Sequence, residues 1–342
     1  MNIKEAIDLY KCASTEELSK IANDIVKKNY SDDVFIRGLI EFSNYCDMDC
    51  LYCGIRKSNG KAVRYRLTDE EIIDAVKFGL DANIKTFVLQ SGEDYKYNVK
   101  KLSKLVYKIK KITGAETAIT LSCGLMNRDD YKELKDSGCD RYLMRFETSD
   151  ENLYSYLKKG QPLKTRLKGL ENLKNLGFEV GSGFMVGLPG ETIETGINNA
   201  LLCKELELDM IGIGPFIPHN ETPLKKEAPG SLDTILRTTA LLRILLPYSN
   251  IPATTATGSI DALGREKALS CGANVLMPNI TPAKYKKNYL IYPGKICLDE
   301  SGSECISRLS ERVVSVGKKI SYERGDSISY TIMKRGKSTF YS

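Results

Sequence analysis

Tryptophan is absent from this sequence of 342 residues, and histidine occurs only once, at His219. That histidine follows Pro215 and Pro218, which predicts a loop residue at the rim of a site and not a general base. Histidine-based proton transfer is therefore excluded everywhere else in the chain. The chemistry must come from a cofactor or from carboxylates, arginines, tyrosines and cysteines.

Long apolar runs are also missing. No stretch approaches the roughly 18 apolar residues of a membrane span, and residues 1–10 lack the apolar core of a signal peptide. The net charge is +6, but lysines and acids are interspersed along most predicted helices. This pattern indicates a solvated surface. We therefore expect a cytoplasmic protein that binds neither nucleic acid nor a membrane.

Cysteine is the informative residue type. Ten are present, and Cys46, Cys50 and Cys53 form a C-x3-C-x2-C run directly after an apolar, strand-like stretch. Three thiolates on one short loop can hold three corners of a [4Fe-4S] cluster and leave the fourth iron open to a small molecule. The spacing predicts these three cysteines as metal ligands and catalytic residues.

Two other interpretations of the triplet stay open. A structural zinc site normally has four ligands, and no fourth cysteine or histidine lies near the triplet. Two of the cysteines could form a disulfide, but the remaining cysteines are scattered, unlike the framework of a secreted protein. The spacing favours the cluster over both.

Short β-branched runs alternate with longer amphipathic segments, which is typical of a parallel sheet covered by helices. Eight strand-like runs predict an α/β fold, a complete (β/α)8 TIM barrel, with strands at 38–43, 86–90, 118–122, 141–145, 179–185, 210–214, 251–255 and 273–277. Helices are predicted near 3–28, 69–80, 97–111, 128–137, 150–176, 192–206, 231–246 and 261–270, and the helix at 150–176 is predicted to break near residues 160–162. A six-strand half-barrel is the alternative, because a proline weakens the seventh run.

We expect three segments: an N-terminal helical extension at 1–35, the barrel at 36–280, and a segment at 281–342 that covers one barrel mouth and ends in a tail. Active sites of such barrels lie at the carboxyl ends of the strands. The cysteine loop follows the first barrel strand, so it marks the functional mouth.

Other strand ends offer polar side chains to the same mouth. Glu93 could bind a cationic amine, and Thr120 offers a hydroxyl. Arg141 and Arg145 are four residues apart, so alternation along the strand puts them on one face. An inward arginine pair suggests an anionic or zwitterionic ligand. A structural salt-bridge network is the alternative for Arg141.

The triplet, with the aromatic Tyr52 before Cys53, resembles the signature of radical S-adenosylmethionine (SAM) enzymes. Within that superfamily the chain resembles the [FeFe]-hydrogenase maturases of the HydE type, which are related to biotin synthase and methylornithine synthase. The matching stretches are 41–46, 51–56, 89–94, 185–190, 212–219, 249–255, 271–275 and 292–297. The resemblance implies a full barrel, one [4Fe-4S] cluster on the three cysteines, and SAM as cofactor.

The resemblance, together with the strand ends, implies roles for further residues. Side chains expected near SAM are Tyr52, Gln90, Glu93, Glu147, Arg166 and Met210, with Tyr289 or Tyr292 closing over it. Side chains expected to line the substrate cavity and its anion sites are Thr120, Arg141, Arg145, Thr254 and Thr255.

Two positions depart from the family pattern. Some relatives carry a second cluster on a distant cysteine followed by C-x2-C. Here Cys297 and Cys305 remain, but Arg308 occupies the third position, so we expect no stable second [4Fe-4S] cluster. Phe146 stands where some relatives have histidine, which puts a proton or metal role at that position in doubt.

The implied reaction is reductive cleavage of SAM to a 5′-deoxyadenosyl radical, used to assemble the di-iron H-cluster and its dithiolate bridge. The implied substrate is a small organometallic anion, a cysteine-bound iron carbonyl–cyanide species. Implied partners are a scaffold GTPase, a sister maturase and a reductant such as ferredoxin or flavodoxin. The alternatives are a sibling radical enzyme, such as a lysine-mutating methylornithine synthase or a biotin-synthase-like sulfur inserter, and a non-catalytic iron–sulfur carrier.

Overall fold

The structure, a computed structural model, describes residues 2–299 and 301–338, and the side chains of the last helix as far as Lys334. The strands are β1 (Asp33–Ile36), β2 (Gly38–Ser43), β3 (Thr86–Ser91), β4 (Ala118–Ser122), β5 (Arg141–Leu143), β6 (Glu179–Ser182), β7 (Met185–Val186), β8 (Met210–Ile211), β9 (Gly214–Pro215), β10 (Val275–Leu276) and β11 (Lys319–Ser321). The helices are α1 (Ile3–Cys12), α2 (Thr15–Tyr30), α3 (Asp69–Asp81), α4 (Val99–Thr113), α5 (Arg128–Asp136), α6 (Glu151–Leu157), α7 (Leu163–Asn175), α8 (Ile193–Glu205), α9 (Leu232–Leu245), α10 (Thr255–Ile260), α11 (Gly264–Ser270), α12 (Ala283–Lys286), α13 (Gly302–Ser315) and α14 (Ile328–Ser338). Among these described helices, none has the length and apolar character to cross a bilayer.

The predicted N-terminal helix at 3–28 is two helices, so that prediction is wrong in its extent. The break lies at Ala13 and Ser14, where the backbone is extended. Ser14 accepts the Glu17 amide while the Glu17 carboxylate accepts the Ser14 amide, a capping box that starts a new helix. Both helices pack on the outside of α9.

Six strands form one parallel sheet in the order β2-β3-β4-β5-β6-β8. All six residues of β2 and all four of β6 are buried. Strands buried on both faces need apolar residues at successive positions, because helices cover one face and the barrel interior fills the other. This explains the continuous apolar runs that predicted the strands.

Isolated parallel bridges carry the ladder from β8 back to β2. Met210 bridges to Asn250, Pro252 to Val275 on β10, and Asn279 to Leu39 on β2. Strand positions therefore follow one another around the barrel axis, as a (β/α)8 barrel requires. The seventh predicted strand, 251–255, is wrong as a regular strand, because Pro252 has no N–H and the chain enters α10 at Thr255.

The amino ends of the barrel strands are closed by the flanking segments. β1 pairs in parallel with β10 and β11, and the chain after β11 crosses the amino end. The Gly325 carbonyl there accepts hydrogen bonds from Arg37 at 3.2 Å and Asn250 at 3.0 Å. The carboxyl ends instead face a cavity roofed by part of 281–299. The segment boundaries at 35 and 280 stay a prediction.

Candidate active site

A cavity of about 320 Å³ lies at the carboxyl ends of the barrel strands. The polar, charged and thiol-bearing residues of its wall are Glu41, Cys46, Tyr52, Cys53, Gln90, Ser91, Glu93, Ser122, Arg145, Glu147, Lys158, Arg166, Thr254, Thr255, Tyr289, Tyr292 and Lys295. Most of the predicted site residues therefore meet at one mouth. A second cleft, of about 420 Å³, lies beside α7 on the outside of the barrel and contains no predicted site residue.

The cysteine loop, residues 44–60, follows β2 and is fixed by polar and steric contacts. The Asn44 side chain donates to the carbonyls of Val63 at 2.8 Å and Asn288 at 2.6 Å. The end of β3 approaches so closely that a Cβ on Gly92 would lie 2.7 Å from the Cys46 Cβ. Only glycine fits at this approach, so the cysteine loop has a defined position against its neighbour.

The three thiols lie in different settings on this loop. Cys46 and Cys53 line the cavity, whereas Cys50 is 7% exposed and its Sγ lies 3.4 Å from Lys158 Nζ. Burial raises the pKa of Cys46 and of Cys53, and the Cys50 thiol adds to both rises. The Cys46 and Cys53 thiols therefore hold their protons until a metal displaces them.

The donor set fits an iron–sulfur cluster with one iron left open. Among the residues that the structure describes, no three histidine, cysteine or acidic side chains gather closely enough to hold a single metal ion. A cluster does not need that gathering, because each thiolate binds a different iron. Three thiols on a loop beside a buried ammonium match the charge of an anionic cluster.

Glu147, after β5, has a left-handed backbone with φ +66°, which is uncommon for a non-glycine residue. Tyr52 Oη donates to its Oε1 at 3.1 Å. Arg145 Nε lies 3.2 Å from Glu147 Oε2 but its N–H is not directed at it, so both atoms, and Arg145 Nη2, lack a hydrogen-bond partner. Burial alone would raise the pKa of Glu147, but the opposing effect of the Arg145 and Lys158 charges is larger. The pKa of Glu147 is therefore lowered overall, and the carboxylate is ionised. Unsatisfied buried polar atoms beside a cavity indicate where a ligand binds.

Two further contacts order the wall formed by β3. Gln90 Nε2 donates to Tyr289 Oη at 3.2 Å and ties β3 to the C-terminal segment. Arg166 Nη2 donates to Glu93 Oε1 at 3.0 Å. Gly124 makes room for this pair, since a Cβ there would lie 2.1 Å from Glu93 Cγ. The Glu93 and Arg166 charges are thus fixed before any ligand binds.

Sequence reasoning missed three charged residues of the cavity wall: Glu41, Lys158 and Lys295. Lys295 Nζ lies 2.5 Å from Glu41 Oε1, and Asn279 donates to Glu41 Oε2 at 2.9 Å. Glu41 and Lys295 stood inside stretches that resemble the maturase family, and that signal could have found them. Lys158 stood inside the predicted helix 150–176, two residues before its predicted break, and carried no signal.

Arg141 does not reach the cavity, and its predicted substrate role is corrected here. It is the first residue of β5 and lies at the amino end of the barrel, fully buried. Its Nε lies 2.5 Å from Glu179 and its Nη2 lies 2.6 Å from Asp326. The salt-bridge alternative therefore describes Arg141, while Arg145 alone lines the cavity.

Met210 and Thr120 are not among the residues that line the cavity, and their contacts with SAM and substrate stay a prediction. Met210 begins β8, and its Sδ accepts from Arg37 Nη1 at 3.0 Å near the amino end. Thr120 is 1% exposed in the middle of β4, two residues below the wall residue Ser122. Its hydroxyl has no hydrogen-bond partner in the described chain.

Thr254 and His219 have structural contacts that sequence did not predict. The Thr254 hydroxyl caps α10 by accepting the Thr257 amide, while the residue still lines the cavity. His219 is 9% exposed and not a rim residue. It packs under the cysteine loop, where a Cβ on Gly54 would lie 2.6 Å from its Nε2.

Similarity to known proteins identifies the family of this chain. Residues 40–199 match the model of the Radical SAM superfamily. The chain is 46% identical over 317 residues to the [FeFe] hydrogenase maturase subunit HydE of Thermotoga maritima, covering 93% of this chain and 90% of that protein. The chain belongs to the radical SAM superfamily, in its HydE-type branch. The family resemblance and the enzyme class predicted from the cysteine triplet are confirmed.

More distant members of the superfamily share the fold. The chain is 30% identical to 3-methylornithine synthase of Methanosarcina acetivorans, over 80% of this chain and 77% of that protein. The crystal structure of methylornithine synthase (PylB) superposes with a TM-score of 0.79 at 25% identity and covers 94% of both chains. The barrel of this radical SAM enzyme is therefore that of the superfamily.

Proposed function

We propose that this radical SAM enzyme acts in assembly of the [FeFe]-hydrogenase H-cluster, on its di-iron part and dithiolate bridge. The observation that carries the proposal is the 46% identity to a HydE maturase over 93% of the chain. The identity to 3-methylornithine synthase is 30%. The difference favours the maturase over the lysine-mutating sibling.

The proposed cofactors are a single [4Fe-4S] cluster on Cys46, Cys50 and Cys53, and SAM. When bound, they supply an electron and a 5′-deoxyadenosyl radical. The Arg308 position supports the absence of a second cluster, since a third cysteine is missing after Cys297 and Cys305.

The chain's own residues orient SAM and exclude water. Glu147, held by Tyr52, offers an ionised carboxylate with one unpartnered oxygen to a hydroxyl or ammonium group. Arg166 and Glu93 present a fixed pair of opposite charges, which suits a zwitterionic amino acid. Tyr289, 2% exposed, roofs this wall and keeps bulk water out, and a dry site protects a reactive radical.

The charges of the cavity support a small anionic substrate. Each carboxylate of the wall has a cation beside it: Glu41 with Lys295, Glu93 with Arg166, Glu147 with Arg145. Lys158 is an additional cation. A lysine substrate would have to bring its ammonium against these cations, whereas a cysteine-bound iron carbonyl–cyanide anion would meet the unpartnered donors of Arg145. Thr254 and Thr255, which line the same cavity, would complete the binding site for this anion.

The proposal includes protein partners and a compartment. A sister maturase would supply the substrate, a scaffold GTPase would receive the product, and ferredoxin or flavodoxin would supply the electron. No disulfide joins the ten cysteines, all of which lie in the described part of the chain, and this supports a reducing compartment such as the cytoplasm.

Anaerobic reconstitution followed by product analysis tests the proposal. The loaded protein is reduced, supplied with SAM, and given either an iron carbonyl–cyanide cysteine complex or lysine. We expect 5′-deoxyadenosine in amounts that rise with the iron complex and do not respond to lysine. Formation of 3-methylornithine from lysine would establish the sibling activity instead. No SAM cleavage by a fully loaded cluster would leave only an iron–sulfur carrier.

A further inference from the structure

The cysteine loop runs antiparallel to the segment that ends α6. Lys159 Nζ pairs with Asp49, Lys158 Nζ donates to Cys50 Sγ at 3.4 Å, and the Leu51 amide donates to the Leu157 carbonyl at 2.9 Å. Further along, Gln161 Nε2 lies 3.5 Å from Met48 Sδ. Three contacts in one register and a fourth shifted by one residue hold residues 48–51 against residues 157–161, and we call this pairing the clasp.

Lys158 is the buried member of the clasp. It is 6% exposed, and its Nζ lies 5.4 Å from the centroid of the Tyr52 ring. The Lys159 side chain is 50% exposed by comparison. Burying an ammonium is costly unless a polar or charged partner compensates it. Within the described residues, the atom to which Lys158 Nζ donates is the Cys50 sulfur.

The other two ligand sulfurs receive backbone donors. The backbone amides of Met48 and Glu93 donate to the Cys46 sulfur, and the backbone amide of Ile55 donates to the Cys53 sulfur. In the part of the chain that the structure describes, Cys50 is the ligand with a charged side-chain donor. Hydrogen bonds and positive charge at ligating sulfurs stabilise the reduced, more negative cluster and so raise its potential.

We propose that Lys158 is a positioning residue that holds the Cys50 ligand and raises the reduction potential of the cluster. The inference rests on the proposed function, because it requires a cluster on the triplet. The step it affects is a one-electron reduction: the external reductant loses the electron, the cluster gains it, and no bond to Lys158 forms or breaks.

A redox titration of reconstituted protein without SAM, followed by electron paramagnetic resonance, tests this role. We expect Lys158→Met to lower the equilibrium constant for reduction about tenfold, which corresponds to about 59 mV for one electron. Lys158→Arg should stay within about twofold of the parent, because it keeps the charge and a donor. Lys159→Met is the matched control and should also stay within about twofold, because its ion pair is half exposed.

The outcomes separate this inference from the proposed function. A parent-like potential in a loaded Lys158→Met variant overturns the role of Lys158 and leaves the function intact. If that variant does not retain iron, Lys158→Gln is titrated, and a parent-like potential there overturns the role as well. Iron loss from the Met and Gln variants, with retention in the Arg variant, supports it. A parent protein that binds no cluster contradicts the proposed function itself.

Discussion

Arg141 begins β5 and Arg145 lies two residues beyond its end, so the two arginines stand four residues apart at opposite ends of the barrel. At the amino end, Arg141 uses Nε, Nη1 and Nη2 on Glu179, Thr86 and Asp326 at 2.5, 3.1 and 2.6 Å. At the carboxyl end, Arg145 keeps Nε and Nη2 without partners. An arginine whose three nitrogens all have partners stabilises the fold, and one whose nitrogens lack partners can bind a ligand.

The backbone shows the same contrast. Glu147, at the carboxyl end, has φ +66°, a conformation that costs on the order of 1–3 kcal/mol in a non-glycine residue. Arg141 and Glu179, paired in register at the amino end, are in regular strands. The carboxyl end therefore combines a strained Glu147 with the unsatisfied donors of Arg145, while Arg141 and Glu179 themselves have neither feature.

Removing one ligand of the cluster should give the largest effect and should be confined to the carboxyl end. We expect Cys50→Ala to lose its cluster and SAM cleavage, by more than the roughly 10–100-fold that loss of an outer partner of a metal ligand costs. Iron content and 5′-deoxyadenosine yield measure the effect.

Cys305→Ala is the control for Cys50→Ala. Cys305 is also buried, on α13, but lies outside the cavity wall. The variant should keep both cluster and cleavage. Full cleavage by Cys50→Ala would refute the cluster assignment.

Replacing Arg141 should affect stability and not chemistry. Arg141→Met leaves Glu179 buried without its cation, and breaking a buried ion pair costs about 3–5 kcal/mol. We expect a loss of that size in the free energy of unfolding, measured with urea on the metal-free protein. SAM cleavage per folded molecule should stay within about twofold. A stable variant that no longer processes substrate would show that Arg141 acts on the substrate and not on the fold.

Replacing Arg145 should do the reverse. Its Nε and Nη2 make no hydrogen bond, and Lys158 and Arg166 also stabilise the Glu147 carboxylate, so Arg145→Met should cost only about 1 kcal/mol in the free energy of unfolding, less than Arg141→Met. A lost hydrogen bond between a charged donor and a ligand costs about 1.5–3 kcal/mol, so substrate-dependent kcat/KM should fall roughly 10–100-fold. Steady-state kinetics beside urea unfolding separates the two arginines. Equal effects of Arg141→Met and Arg145→Met on both measurements would remove the contrast between the ends.

Sequence patterns could predict the strands, the mouth and most of its wall, because buried parallel strands and βα loops leave local signals. They could not predict how far along the barrel axis each side chain lies. Alternation predicts Arg141 and Arg145 on one face, but β5 ends at Leu143, and only the register with Glu179 on β6 shows that Arg141 begins its strand. The Glu41–Lys295 pair joins residues 254 apart in sequence, so no local pattern contains it.

Asp209 allows a smaller test at the amino end, through pH. Its carboxylate accepts the Val180 amide at 2.9 Å and the Ser329 hydroxyl at 2.8 Å. Burial raises the pKa of Asp209 to about 6, and the Glu179 charge adds to the rise. The folded protein therefore binds this proton more tightly than the unfolded chain, whose aspartate pKa is about 3.9. The resulting stabilisation is complete below about pH 3.9 and is lost as the pH rises through about 6.

Asp209→Asn removes this titration. Relative to the parent, the variant should gain on the order of 1–2 kcal/mol in the free energy of unfolding between about pH 4 and pH 7, since each unit of pKa shift corresponds to about 1.4 kcal/mol. Urea unfolding across that range measures the difference, with Asp74→Asn as an exposed control whose curve should parallel the parent. Cleavage of SAM should be unaffected, because Asp209 lies outside the cavity wall. Parallel curves for Asp209→Asn and the parent would show that this carboxyl is ionised across the range, and that the amino end tolerates a second buried charge beside Glu179.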